Sequence, residues 1–349
     1  MDEQDLKDIA TGLGAEARAL EGKTLLLTGS GGFLGRWFVR AVDHLNAAVL
    51  AKPCRLLALD TVEAAKDIRE GVKRPGDITF IHHDLSVGFD FKDHVDFAVH
   101  MAGIASPAYY RAKPLETLDV SFLGTRQVLD LAKRDGARML CFSSSEIYGD
   151  PDPKFVPTPE TYRGYVSSMG PRSCYDEGKR VCETLCYIYA NYFQVAAVVV
   201  RPFNVYGPEM KEKDYRVLPN FASAIKADRP LLMYGNGKQT RTYCYATDGL
   251  VGFFRALLKG RGGEAYNIGN TNPEISINDL VAVIEKVLGR TVKKEFAKYP
   301  DHYPPDEPSR RCPDLTKAKT ELGYAPRTPL EEGLRRYLAW TDRHYTGAS

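Results

Sequence analysis

The chain has no stretch of roughly 18 uninterrupted apolar residues, the length a membrane-spanning helix needs. Residues 1–20 are acidic and lack the basic-then-apolar order of a secretory leader, so a cytoplasmic location is expected. Neither sign of charge is in excess: 47 Lys and Arg stand against 45 Asp and Glu, a formal balance of +2. That balance gives no broad pull toward nucleic acid or an anionic membrane, and neither is expected as a partner. Cysteine is sparse, 7 in 349 residues, an odd number with no CxxC pair. The pattern argues against a disulfide framework and against a zinc site, and no metal is expected. Cys182 and Cys186, four apart on a probable helix, read as small buried apolar residues. Internal repeats and low-complexity segments are missing too.

What remains is ordinary for a soluble globular protein, with 44% hydrophobic and 26% charged residues. The length suits one large α/β unit or two modest domains. Residues 1–22 read as a helical arm. Strands are expected at Lys23 to Thr28, Arg55 to Leu59, Ile78 to Ile81, Phe97 to His100, Met139 to Phe142 and Val195 to Val200. The last of these is a continuous apolar run, as in a parallel strand buried on both faces. Helices are expected from Phe33 to about Leu45, from Leu115 to Arg134 with a mild interruption at Gly124, and from Tyr175 to Tyr192. This alternation predicts an α/β fold, a doubly wound parallel sheet of the Rossmann type, over residues 23–204. Prolines then become denser, at 208, 230, 300, 304, 305 and 308. Residues 205–349 should form mainly a smaller substrate-binding region that crosses back to the sheet once or twice.

The segment Thr28-Gly29-Ser30-Gly31-Gly32-Phe33-Leu34-Gly35 follows the first strand and opens a helix. Gly29, Gly32 and Gly35 permit a tight turn and a close backbone approach to a pyrophosphate. The helix start at Phe33 and Leu34 adds free N–H groups and the positive end of the dipole. Asp60, at the end of the second strand, is placed to accept hydrogen bonds from an adenosine ribose. A carboxylate there repels a 2′-phosphate, so the expected cofactor is NAD rather than NADP. Arg36 is either a phosphate contact or a solvated helix residue. Asp84 and Leu85 fall where the adenine edge should lie, and Ala102 follows the fourth strand at the same crevice.

Two further segments carry chemistry. In Ser143-Ser144-Ser145-Glu146-Ile147-Tyr148-Gly149, hydroxyls stand beside a carboxylate at a strand end. In Arg172-Ser173-Cys174-Tyr175-Asp176-Glu177-Gly178-Lys179, Tyr175 and Lys179 are i and i+4 and share a helix face. A free phenol titrates near 10, and an adjacent ammonium favours its ionised form. Ser144 can orient an alcohol whose proton Tyr175 removes as hydride leaves carbon. Lys179 can also hold the nicotinamide ribose.

The glycine loop, the strand-end serine and the Tyr-x-x-x-Lys helix together resemble the extended short-chain dehydrogenase/reductase superfamily over residues 23–340. The runs 144–150, 170–180, 203–208, 237–241 and 311–314 are similar to those of UDP-glucuronate decarboxylases. That resemblance implies oxidation of a sugar acid at C4, loss of carbon dioxide from C5 with the ketone as electron sink, and re-reduction at C4. In this scheme Ser144, Ser145, Glu146, Tyr175 and Lys179 are the catalytic set, with Glu146 and Ser145 positioning a proton or water at C5. Arg311 would pair with the sugar carboxylate and Arg241 with the diphosphate. Asn204 and Asn220 would hold the pyrophosphate or base, Tyr234 would line the base pocket, and Ser106 and Arg172 would complete the substrate contacts. The resemblance also implies a homodimer through helices 115–134 and 175–192. Two positions depart from the decarboxylase pattern: Gly103-Ile104 stands in place of Ser-Pro, and Glu209 in place of a common arginine. A nucleotide-sugar 4,6-dehydratase or 4-epimerase on the same scaffold is the alternative reading, and a non-catalytic NAD-sensing protein a remote one.

Overall fold

The apolar runs of the first 200 residues pair side by side in a computed structural model, which describes residues 1–61, 68–69, 71–88, 90–214, 216–298 and 308–348. β1 (Thr24–Thr28), β2 (Arg55–Asp60), β3 (Ile78–His82), β4 (Phe97–His100), β5 (Arg138–Phe142) and β6 (Ala197–Pro202) share one sheet with β7 (Ala265–Ile268). The order across it is β7-β6-β5-β4-β1-β2-β3, every pairing parallel. The chain reverses its direction of travel between β1 and β4, and ligands of open parallel sheets bind at the carboxyl ends of the strands at such a point.

Both faces of the sheet are covered, so its central strands are largely apolar, with Thr28 and His100 as buried polar residues at their carboxyl ends. In β1, Leu25 and Leu27 enter one core and Leu26 the other. The first core is roofed by α1 (Glu3–Leu13), α2 (Phe33–Ala48) and α5 (Ala246–Lys259), through Ile9, Trp37, Phe38, Phe253 and Phe254. The second is roofed by α3 (Thr125–Asp135) and α4 (Ser173–Phe193), where Cys182 and Cys186 pack as small apolar residues among Val128, Leu129 and Leu185. A third core, around Tyr206, Phe221, Tyr245, Ile284 and Tyr337, belongs to the C-terminal region.

Three expectations are refined. The N-terminal arm is no loose appendage: α1 starts with a reciprocal Asp2–Asp5 capping box and buries Ile9 and Leu13 in the first core. The helix foreseen over 115–134 runs from Pro114 to Asp135 with a π turn at Val120–Gly124 joining Pro114–Asp119 to α3. Gly124 lets this turn approach its neighbours closely, since a Cβ there would stand 3.3 Å from Leu85 Cβ and 3.6 Å from His100 Cε1. Beyond residue 204 the chain contributes β7 to the sheet and α5 to its first core, and builds the third core as well. The prolines at 300, 304 and 305 lie outside the described residues.

The loop between β1 and α2 is shaped by steric limits. Gly29 has φ +76°, and a Cβ on Gly35 would lie 2.1 Å from Gly29 O. Gly35→Ala should therefore destabilise the fold by about 1–3 kcal/mol. Gly76→Ala, where a Cβ meets nothing within 4 Å, is the control and should leave the urea midpoint unchanged. Equal midpoints for the two variants would contradict this packing.

Candidate active site

The glycine loop forms a cradle at the carboxyl end of β1. A Cβ on Gly29 would lie 2.8 Å from Ala102 N, so the loop rests directly on the chain leaving β4. Gly32 caps α2 without any side-chain hydrogen bond, leaving the first-turn N–H groups at Phe33 and Leu34 to serve another acceptor. Asp60 Oδ2 accepts the Gly31 N–H at 2.7 Å and ties the loop to β2. Ser30 Oγ is buried with no hydrogen-bond partner among the described residues. A backbone cradle, a helix N-terminus and a strand-end carboxylate fit a dinucleotide.

The flanking positions are more mixed. Asp84 is exposed, and its Oδ1 accepts the Ser86 N–H at 2.8 Å, which holds its carboxyl below the usual range. The Leu85 side chain lies in the second core and its carbonyl accepts from Gln127 Nε2 at 2.7 Å, so neither the side chain nor that carbonyl is turned to the loop. Arg36 does not point freely at a phosphate. Its Nε donates to Gly31 O at 3.2 Å and its Nη1 to Glu209 Oε2 at 3.3 Å. Glu209, one of the two departures from the decarboxylase pattern, is thus the partner of Arg36, and it sits at φ +75°.

α4 brings Tyr175 and Lys179 to the end of β5. Both are buried, and Lys179 Nζ lies 5.8 Å from the centre of the Tyr175 ring. Lys179 Nζ donates to Phe142 O at 2.8 Å. A Cβ on Gly103 would stand 3.5 Å from that nitrogen, which places the ammonium between the β4 and β5 exits. Tyr110, from the short helix Pro107–Ala112, stacks on Tyr175 with ring centres 5.2 Å apart. Ser144 Oγ accepts the Glu146 N–H at 3.2 Å, Ser145 is buried, and Ser106 Oγ is buried with no partner among the described residues.

Beside this pair lies a cluster of charge. Both Glu146 oxygens engage Arg311, one of them at 2.9 Å, and Arg172 donates to Glu146 Oε2. Arg172 Nε also donates to Asp176 Oδ2 at 3.3 Å. Burial alone would raise the Glu146 pKa, but the charges of Arg311 and Arg172 outweigh it and hold the carboxyl well below its usual range. Burial pushes the Asp176 carboxyl up to about 6 against the pull of Arg172, and the neighbouring Glu146 charge adds to the rise. The short strand Arg310–Arg311 pairs in parallel with Thr240–Arg241, so Arg311 and Arg241 are direct neighbours in the ladder, and both are buried. Arg310, on the opposite face, is held by Glu274 through two bonds of 2.8 Å. Of the two adjacent arginines, Arg311 is the one aimed at the crevice.

The remaining expected substrate residues are more loosely gathered. Asn204, at φ +42°, uses its amide to donate to Thr242 O at 2.9 Å. Asn220 is half-buried on the helix Val217–Lys226. Tyr234 ends the strand Leu231–Tyr234, half-buried, with its carbonyl accepting from Gln239. Asp176 and Tyr110 escape a reading of the sequence. Asp176 is adjacent to the Tyr-x-x-x-Lys pair but looks like a helix-start acid, and Tyr110 meets Tyr175 only through the fold.

The model of the NAD dependent epimerase/dehydratase family matches residues 25–269. UDP-glucuronic acid decarboxylase 1 of Xenopus tropicalis is 37% identical over 318 residues, covering 90% of this chain and 71% of that protein. UDP-glucuronic acid decarboxylase 5 of Arabidopsis thaliana is 35% identical over 313 residues, covering 89% and 86%. Among solved structures, an epimerase from Methanothermobacter thermautotrophicus superposes with TM-score 0.81 at 25% identity, covering 96% of each chain. The UDP-glucuronic acid 4-epimerase of Bacillus cereus, solved with UDP-glucuronic acid and NAD, gives TM-score 0.75 at 25% identity, covering 92% of this chain and 100% of that one. With its parallel sheet, its glycine cradle and its paired tyrosine and lysine at the ends of β1 and β5, the chain belongs to the NAD dependent epimerase/dehydratase family.

Proposed function

We propose that this protein is a UDP-glucuronate decarboxylase that works through a 4-keto sugar. The observation that carries this reading is the convergence of Arg311 and Arg172 on one carboxylate beside the Tyr175 helix. Two guanidiniums at that end of a dehydrogenase crevice suit a sugar acid, whose carboxylate can take a bidentate pairing there. The names borne by relatives that match nine tenths of the chain support it.

NAD, when bound, accepts a hydride at the start and donates one at the end. Main chain from Gly29 to Gly35 would hold its pyrophosphate, Asp60 its adenosine ribose, Asp84, Leu85 and Ala102 the adenine side, and Lys179 the nicotinamide ribose. Ser144 orients the C4 hydroxyl, and Tyr175 takes its proton while the buried charge of Lys179 steadies the phenolate. The C5 carboxylate is then β to a ketone, so carbon dioxide leaves and its bonding electrons pass into an enolate. Glu146, with Ser145, positions the proton or water that reaches C5, and Tyr175 returns its proton to the C4 oxygen. Glu146 pairs with Arg311, and in this proposal the sugar carboxylate takes that place and frees Glu146 to act at C5. Ser106, Arg172, Asn204, Asn220, Tyr234 and Arg241 make up the remaining substrate contacts of the proposal.

A homodimer in the cytoplasm belongs to the same proposal. The segment from Pro114 through the π turn exposes Leu115, Leu118, Phe122 and Leu123, and α4 exposes Tyr187, Tyr192 and Phe193. Exposed apolar side chains gathered on two helical segments that pack on one another fit an interface. All seven cysteines are free, which suits a reducing compartment. Light scattering should give twice the chain mass of 38.9 kDa, and Leu118→Glu with Tyr187→Glu should halve it. A monomeric wild type would dismiss the dimer.

The central test is incubation with UDP-glucuronate and NAD, followed by mass spectrometry. Carbon dioxide and a UDP-pentose are expected. A UDP-hexuronate of unchanged mass would instead identify a 4-epimerase, and water loss from a neutral nucleotide-hexose alone would identify a dehydratase. Tyr175→Phe should lower turnover by about 10²- to 10⁴-fold while NAD affinity stays close to wild type. Arg311→Ala should weaken UDP-glucuronate binding by roughly 10- to 100-fold and spare neutral UDP-hexoses. Equal losses for acid and neutral sugars in calorimetry would break the carboxylate assignment.

A further inference from the structure

Behind the crevice a line of buried polar groups crosses from the cofactor loop to the second helix layer. The Ala102 N–H donates to Thr28 Oγ1 at 3.3 Å, and Thr28 Oγ1 lies 2.8 Å from His100 Nδ1. On the other side of the ring, His100 Nε2 is 3.1 Å from Thr125 Oγ1. Thr125 Oγ1 donates to Cys182 Sγ at 3.2 Å, and that thiol donates to Ser121 O at 3.1 Å. Thr28, His100, Ser121, Thr125 and Cys182 are all at most 3% exposed.

The two ends of this line determine its direction. A backbone N–H can only donate and a carbonyl can only accept. The one proton of the Cys182 thiol is taken by Ser121 O, with the Cys141 sulfur the other acceptor in reach, so toward Thr125 its sulfur is the acceptor. Having given its hydroxyl proton away, Thr125 Oγ1 must accept from the ring, so His100 Nε2 carries hydrogen. In a neutral imidazole Nδ1 is then bare and accepts from Thr28, whose oxygen in turn accepts from Ala102. Every link thus runs the same way, and links aligned in this manner polarise one another. Burial, with the Lys179 charge nearby, lowers the His100 pKa to about 3 and keeps the ring neutral. Ser121 lies in the π turn, where carbonyls are displaced from the ordinary helical ladder.

We propose that His100 is locked as its neutral Nε2–H tautomer and serves as a positioning residue, holding the Ala102 main chain in place to form one wall of the NAD crevice. The geometry gives this a direct consequence. The 101–103 segment is pressed between Gly29, whose Cβ would sit 2.8 Å from Ala102 N, and Lys179, whose Nζ would stand 3.5 Å from a Cβ on Gly103. The chain of donors anchors that segment to α3 and α4. None of these side chains touches the sugar site, so the inference holds whichever reaction follows C4 oxidation.

The tautomer is measured directly on the wild-type protein. In two-bond nitrogen–proton spectra of histidine-labelled protein, with the signal identified by its loss in His100→Gln, His100 should show the neutral Nε2–H pattern at neutral pH. An imidazolium or an Nδ1–H pattern would overturn the assignment. Direct titration with NAD should show Thr28→Val binding about tenfold more weakly, while Thr28→Ser, which keeps the hydroxyl, stays within about twofold of wild type. Undiminished binding by Thr28→Val would overturn the positioning role. If Thr28→Val does not fold, Thr125→Val, which breaks the chain on the helix side, takes its place with the same expected loss and the same contrary outcome.

Discussion

A buried ammonium holds this site together. Lys179 Nζ has left water, and a charge there is tolerated only when it is well partnered. Its bond to Phe142 O fastens α4 to the end of β5, and the Tyr175 ring and the chain at Gly103 close around it. Because Tyr175 lies one turn earlier on the same helix, fastening Lys179 also places the phenol. The tyrosine and the chain leaving β4 are located relative to that one nitrogen.

The charge cluster follows a related logic. Arg172, Arg241 and Arg311 gather around Glu146 and Asp176, so three guanidiniums meet two carboxylates. Burial pushes Asp176 up to about 6 while Glu146 is held low, so two acids of one cluster titrate in separate ranges. Environments that separate two titrating groups in this way are typical of sites that move protons.

Much of this was legible in the chain itself. The strand runs, the glycine loop, the acid at Asp60 and the spacing of Tyr175 and Lys179 are local patterns, and local patterns survive without tertiary context. The arm at residues 1–22 was seen as a helix, but not that Ile9 and Leu13 would enter the core, since nothing local says which surface will meet them. Glu209 read as a departure from a pattern, and its meaning emerged only when Arg36, 173 positions earlier, was found beside it.

By itself the sequence determined the element types and the doubly wound class and singled out the candidate reactive groups, because each depends on periodicity or on spacing within a helical turn. Tertiary structure decided which of Arg310 and Arg311 faces the crevice, since adjacent residues of a strand point to opposite sides and only the pairing with Thr240–Arg241 sets which side is inward. It also decided the direction of the hydrogen bonds through His100, because Thr28, Thr125 and Cys182 lie far apart in the chain and meet only where the sheet and two helices converge.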